Sequence, residues 1–156
     1  ILDIEGVPGE CKLSGFEGKI DIYSVSWGLS QAGTFHSGGG GGGGKANIQD
    51  VTVTKKVDKA SALLMKNSAS GKHYPTAKIT VRKAGGDSPV EYFKVELEKV
   101  IVSALNISSS NGDENVFESV TLNFAKIKFE YTEQSEDGSG GAAQPFAWDV
   151  QKGVPG

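Results

Sequence analysis

Seven consecutive glycines, Gly38–Gly44, run directly into Lys45. Gly39, Gly44 and Lys45 fit the G-x-x-x-x-G-K spacing, in which backbone N–H groups cradle a nucleotide's phosphates and the lysine reaches the outer ones. That chemistry needs two further features. A Ser or Thr must come next to hold magnesium, and position 46 is Ala. A helix must then begin so that its first N–H groups face the anion, yet Asn47–Thr54 alternates polar and apolar residues as a strand does. An unbroken glycine run also meets G-x-G-x-x-G trivially. No nucleotide or other cofactor is expected.

The remaining reactive side chains do not converge either. His36 and His73 lie far apart and neither belongs to an H-x-H or H-x-x-x-H pair, so no metal centre is expected. Cys11 is the one cysteine and cannot form an intrachain disulfide; with no activating His or Lys pattern beside it, it reads as a buried thiol. Ser and Asp are plentiful, but no G-x-S-x-G turn presents a nucleophile. The chain does not read as an enzyme. Its net charge of −3, with Lys and Arg dispersed, lacks the basic stripe of a nucleic-acid binder. Its apolar runs are short, such as Val100–Val102, far from the ~20 residues that span a bilayer, so membrane insertion is not expected.

The elements that position these residues are mostly strands. Alternation marks Ile20–Gly28, with a slip at Tyr23-Ser24; Ile48–Thr54, with Val51 and Val53 on one face; Ala77–Arg82; and Val90–Val102, where Phe93, Val95 and Leu97 share a face. Val120, Leu122 and Phe124 share another face, then the series shifts to Ile127, Phe129 and Tyr131. A bulge near Phe124-Ala125 keeps both sets buried. Phe146–Val150 alternates again. Asp58–Ser70 is different: Ala60, Leu63 and Leu64 have helical spacing, Asp58 is placed as N-cap and Gly71 as the terminating glycine. The fold class is mainly β, a β-barrel or sandwich of antiparallel strands flanked by one α-helix, forming a single domain over 1–156.

Gln31–Lys45 forms a connection at the long end of the roughly 12–15 residues usual inside a compact domain. Phe35 and His36 sit within it with little of their own chain to bury them. Docking on a neighbouring subunit accounts for them, and Thr34, Phe35, His36, Gly38, Gly44 and Lys45 are the candidate interface. Trp27 and Trp148 read as core anchors. From the residues alone two other classes stay open, a monomeric β-sandwich adhesin or carbohydrate-binding module and a small hydrolase. The former usually carries an export signal, and no basic start with an apolar stretch and cleavage site is visible here.

Several strings then fall in a familiar order: Ser26-Trp27-Gly28, the glycine run, Asn47-Ile48-Gln49-Asp50, Thr54-Lys55, Asp58-Lys59-Ala60-Ser61, Ser70-Gly71-Lys72-His73-Tyr74-Pro75, Arg82-Lys83-Ala84-Gly85-Gly86 and Leu122-Asn123-Phe124-Ala125. Together they resemble the haemolysin-coregulated (Hcp) family of bacterial type VI secretion over nearly the whole chain. Cys11 departs from the Ser common at that place, and Glu133–Gln144 falls in a variable loop. The resemblance implies a homohexameric ring that stacks into a tube. It also implies tip-spike, contractile-sheath and secreted effector proteins as partners. The localisation it implies is cytoplasmic before firing and extracellular afterwards, without a cleaved signal. Within such a ring, Val25 and Trp27 are expected to face the core, which turns Ser24 and Ser26 toward the lumen and its cargo.

Overall fold

The structure is a computed structural model, and it describes residues 1–33, 44–83, 89–135 and 139–156. Thr34, Phe35, His36 and Gly38 lie outside the described residues. The elements in chain order are β1 (Leu2–Ile4), β2 (Ser24–Ser26), β3 (Leu29–Ser30), β4 (Asn47–Ile48), β5 (Val51–Lys56), α1 (Ser61–Ser70), β6 (His73–Lys83), β7 (Val90–Ser108), β8 (Phe117–Asn123), β9 (Lys126–Gln134), β10 (Gly140–Asp149) and β11 (Val154–Pro155). All strand pairs are antiparallel. The mainly β class with one helix is what the alternation implied.

The long strand β7 is the spine. One flank pairs with β6 along most of its length; the other pairs with β9 over Phe93–Glu98 and with β8 over Ile101–Ser108. From there the sheet continues on one side through β5 to β2 and on the other through β6 to β1. These two margins meet: Leu2 N donates to Ile20 O at 2.8 Å and Ile20 N to Leu2 O at 2.9 Å, four residues before β2. The curled sheet is thereby closed into a barrel. Strands β10 and β11 extend it beyond β9. Inside lie Leu2, Ile20, Val51, Val53, Ile79, Leu97, Leu122 and Ile127, with Leu64 of α1 against them.

The predicted single strand over Ile20–Gly28 is broken. Ile20 belongs to the Leu2 contact, and only Ser24–Ser26 pair with β5. Backbone crowding fixes the approach to it: Gly9 N donates to Gly18 O at 2.7 Å, and a Cβ on Gly9 would sit 2.2 Å from Lys19 O. No other residue fits there.

The face inversion around Phe124-Ala125 is real, but a bulge does not cause it. Three adjacent strands change together. Buried positions run Val95, Leu97 and then Val100, Val102 in β7; Val120, Leu122, Phe124 and then Ala125, Ile127 through β8 and β9; Tyr74 and then Ala77, Ile79 in β6. The register is the same on both sides of the change, Glu98 with Lys126 and Ile101 with Asn123, so no residue is inserted. Lys99, opposite Pro75 and these buried residues, takes φ 53°. Left-handed backbone at a non-glycine residue is strained, and Pro75, with no N–H to donate, tolerates a lost ladder bond. The result is a corner crossing three strands at one level.

Helix α1 starts at Ser61, not beside Asp58. Ala60 occupies the N-cap and supplies no side-chain hydrogen bond. The glycine stop is as expected: Gly71 has φ 66°, its N–H reaches Ser68 O at 3.1 Å, and Lys72 N reaches Asn67 O at 2.9 Å. Asp58 Oδ1 accepts from Ala60 N at 2.9 Å just ahead of the helix and also joins a buried ion cluster. Lys55, fully buried in β5, donates to Glu118 Oε1 at 2.5 Å, Asp58 Oδ1 at 2.8 Å and Lys56 O at 2.8 Å. Ser61 Oγ donates to Glu118 Oε1 at 2.7 Å and accepts from Asp58 N at 3.0 Å. The first turn of the helix is thus tied to β5 and β8.

Removing one member of a buried pair leaves an uncompensated charge, whereas replacing both with apolar groups does not. Lys55→Met is expected to cost about 3–5 kcal/mol in urea denaturation. Lys55→Met/Glu118→Leu is expected to recover most of that loss. A double variant as unstable as the single one contradicts this account.

Candidate functional site

Two regions carry the candidate residues. The first is the base of the glycine-rich connection. Strands β3 and β4 pair Leu29 with Ile48 and Ser30 with Asn47, bringing the ends of the connection side by side. Gln31 Nε2 donates to Gly44 O across the base. Lys45 is exposed, and its Cε lies near the α-face of Gly153 in the C-terminal turn. A groove of about 760 Å³ lined by Gln31, Lys45, Ile48, Trp148 and Val150 runs beneath. Of the six predicted interface residues, only Gly44 and Lys45 are described.

The element after Lys45 is a strand, so no helix N-terminus faces it. The phosphate-cradle geometry is therefore incomplete. His73 is exposed at the start of β6. Cys11 is buried, and burial pushes its thiol above the ordinary value. Among the described residues no group of three His, Cys, Asp or Glu side chains is placed to hold a metal. No helix there is long and apolar enough to cross a membrane.

The second region is the outward face of β2, β5, β8 and the end of β7. Val25 and Trp27 pack against the core, while Ser24 and Ser26 are exposed, as alternation required. Register sets them in rows. Ser24, Thr54, Ser119 and Asn106 lie side by side; Ser26, Thr52, Thr121 and Ala104 form the next row. Ser24 Oγ and Thr54 Oγ1 are 2.5 Å apart, Thr52 Oγ1 and Thr121 Oγ1 3.1 Å. These two rows contain no charged side chain. Lys56 stands beyond one end, its ammonium 5.6 Å from the Tyr23 ring centre, and Asp50 beyond the other. Thr52 and Thr54 are legible from alternation as the face opposite Val51 and Val53, although no motif draws attention to them. Ser119, Thr121 and Asn106 join them only through pairing.

Across the corner the outward face has opposite character. Asp3, Lys78, Glu96 and Lys128 alternate in sign along one row through β1, β6, β7 and β9. Lys94 and Glu130 continue the pattern in a neighbouring row, and Glu98 and Lys126 in another. Ion-pair distances are 3.8 Å for Lys78–Glu96, 3.3 Å for Lys126–Glu98 and 3.7 Å for Lys128–Glu130. Solvent screens such exposed pairs, so they contribute solubility more than stability.

The missing cradle gives an expected outcome. Magnesium–ATP leaves the melting temperature unchanged in the native chain and in Lys45→Ala. A ligand at 100 times its dissociation constant adds ~2.7 kcal/mol, which a melt resolves easily. An ATP-dependent rise that disappears in Lys45→Ala overturns the reading.

Residues 1–131 match the family model described as type VI secretion system effector, Hcp. The chain is 44% identical over 154 residues to the protein hcp1 of Pseudomonas aeruginosa, covering 98% of this chain and 95% of that one. Its structure is similar to that of Hcp1 from Salmonella typhimurium, with TM-score 0.81, 31% identity and coverage of 99% and 95%. A structure of a type six secretion system protein matches in fold with TM-score 0.92 at 24% identity, covering 99% of this chain and 97% of the other. A curled antiparallel barrel with one flanking helix thus accompanies a family match over most of the sequence, and the chain belongs to the Hcp family of type VI secretion proteins.

Proposed function

We propose that this chain, as one unit over 1–156, is a structural subunit of a secreted tube and does no catalysis. Copies close into six-membered rings through a heterologous interface, and the rings stack. The stack is driven outward by a contractile sheath behind a tip-spike protein. Effector proteins ride in the lumen, and the subunit leaves the cytoplasm without a cleaved signal.

The observation that carries this reading is the division of the barrel's surface at the corner. On one side of it two rows between Lys56 and Asp50 carry hydroxyls and an amide without charge; the other side carries an alternating lattice of Lys and Glu. Cargo of varied sequence can be held and released by a wall of rotatable hydroxyls, which donate or accept as needed and impose no charge that a partner must match. Ser24 and Ser26 belong to that wall in this reading. The charged lattice suits the solvated outside of a ring. A head-to-tail ring also needs a projecting element on each copy, and the connection rooted at Gln31 and Gly44, with Thr34, Phe35, His36, Gly38 and Lys45, is assigned to it.

Negative-stain images of the purified protein test the assembly. Closed rings are expected, of about six subunits as the family resemblance implies; small featureless particles reject the proposal. Shortening Gly38–Gly44 to two residues is expected to leave a folded protein that no longer forms rings, measured by light scattering after size exclusion. A shortened variant that stays hexameric rejects the arm. For the lumen, Ser26→Gln is expected to keep rings intact, since an exposed substitution changes stability by less than ~0.5 kcal/mol. It is also expected to reduce co-purification of a lumen-bound effector. Normal retention in intact rings places Ser26 elsewhere.

A further inference from the structure

The hydroxyl rows end at a carboxylate. Asp50 precedes β5 by one residue and continues the outward series of Thr52 and Thr54. Both its oxygens are already held. Oδ2 accepts from Ser103 Oγ at 2.9 Å, and Oδ1 accepts from Asn123 Nδ2 at 2.8 Å. The donors come from two different strands. Ser103 is available because the β7–β8 register shifts between Val102 and Ala104, which releases it from the ordinary alternation, and it also donates to Thr121 O at 3.3 Å. On the other flank the β2–β5 pairing ends at Ser26 and Thr52, and Gly28, whose carbonyl accepts from Gln49 N at 3.0 Å, falls in the shifted β3–β4 register. Among the described residues no lysine or arginine forms an ion pair with Asp50, whereas Asp3, Glu91, Glu96, Glu98 and Glu130 on the charged sheets each have one.

We propose that Asp50 anchors a cationic side chain, a lysine ammonium or an arginine guanidinium, of a polypeptide lying against the hydroxyl rows. The inference rests on reading that face as the one that meets cargo. Each carboxylate oxygen can accept more than one donor, so two internal bonds leave capacity facing outward. The same two bonds hold the side chain in place before a partner arrives, so little rotamer freedom is lost on binding. Hydroxyls grip without regard to sign. Asp50 adds sign and direction, favouring a cation and rejecting an acidic group at that point.

The probe is a fluorescent peptide with three lysines separated by Ser and Gly, beside its fully acetylated counterpart, titrated into the assembled protein and followed by anisotropy. Asp50→Asn is expected to weaken the lysine peptide about tenfold, the scale of one charge-assisted hydrogen bond. Asp113→Asn, which removes the same charge from an exposed turn, is expected to leave binding unchanged. The acetylated peptide is expected to bind both Asp50 forms equally weakly. Ser103→Ala frees one oxygen without removing charge and is expected to lower binding less than Asp50→Asn does, which keeps the test usable if Asp50→Asn shifts the melting temperature. Equal binding by native and Asp50→Asn protein, or equal losses in Asp50→Asn and Asp113→Asn, overturns the anchor. Ser26→Gln separates the two readings. Loss in Ser26→Gln without loss in Asp50→Asn rejects the anchor and keeps the cargo face. Loss in Asp50→Asn alone rejects a polypeptide lying against the hydroxyl rows and leaves only a cation contact at Asp50.

Discussion

A strand buries alternate residues, so a long strand that must keep a dry side on both sides of a bend has to change which alternate set it buries. In an isolated strand an inserted residue does this, at the cost of slipping against its neighbours. Here β6, β7 and the β8–β9 line make the change at one level and keep their register. The strain collects at Lys99, whose φ of 53° is the one positive value at a described non-glycine residue. Everything else in the barrel is arranged about that corner. It lets one spine strand serve both halves of the curled sheet, and it allows Leu2 and Ile20 to meet and close the curl.

The helix depends on a second constraint. With no side chain capping its first turn, α1 is fixed by Ser61 joining the Lys55–Glu118–Asp58 cluster at one end and by packing along its length. Leu64 enters the core, Asn67 donates to Tyr74 Oη at 2.6 Å, and Ser68 Oγ donates to Val102 O at 3.0 Å. A buried ammonium has to be satisfied by several acceptors from different elements. Lys55 accordingly specifies where the helix begins relative to β5 and β8, which is a statement about geometry more than about net stability.

The corner also separates two surface chemistries. On one side two adjacent outward rows hold Ser, Thr, Asn and Ala104 between Lys56 and Asp50; on the other, Lys and Glu alternate. Neither set is needed to fill the core, because both point away from it. A monomer in water gains nothing from excluding charge from the two rows between Lys56 and Asp50, so that exclusion is the feature of the fold that points most directly to a partner. At the end of the hydroxyl rows, Ser103 at the bulge and Asn123 fix Asp50, which forms no ion pair with a described lysine or arginine.

The periodicity of the chain was enough to settle the class, mainly β with one helix, because a period of two and a period near 3.6 bury different residues. It also located the Gly71 stop, the exposure of Ser24 and Ser26 opposite Val25 and Trp27, and the inversion near Phe124-Ala125. Each of these is a local preference, carried by backbone sterics or by alternation within one segment. Short strings in a fixed order pointed to the family. What alternation could not supply was the partner of each strand. The joint turn of three strands, the burial of Lys55 against Glu118 and the clamp on Asp50 by Ser103 and Asn123 all join residues far apart in the chain. Such contacts exist only once register is chosen, and register is decided by the closure of the whole barrel, not by any one strand.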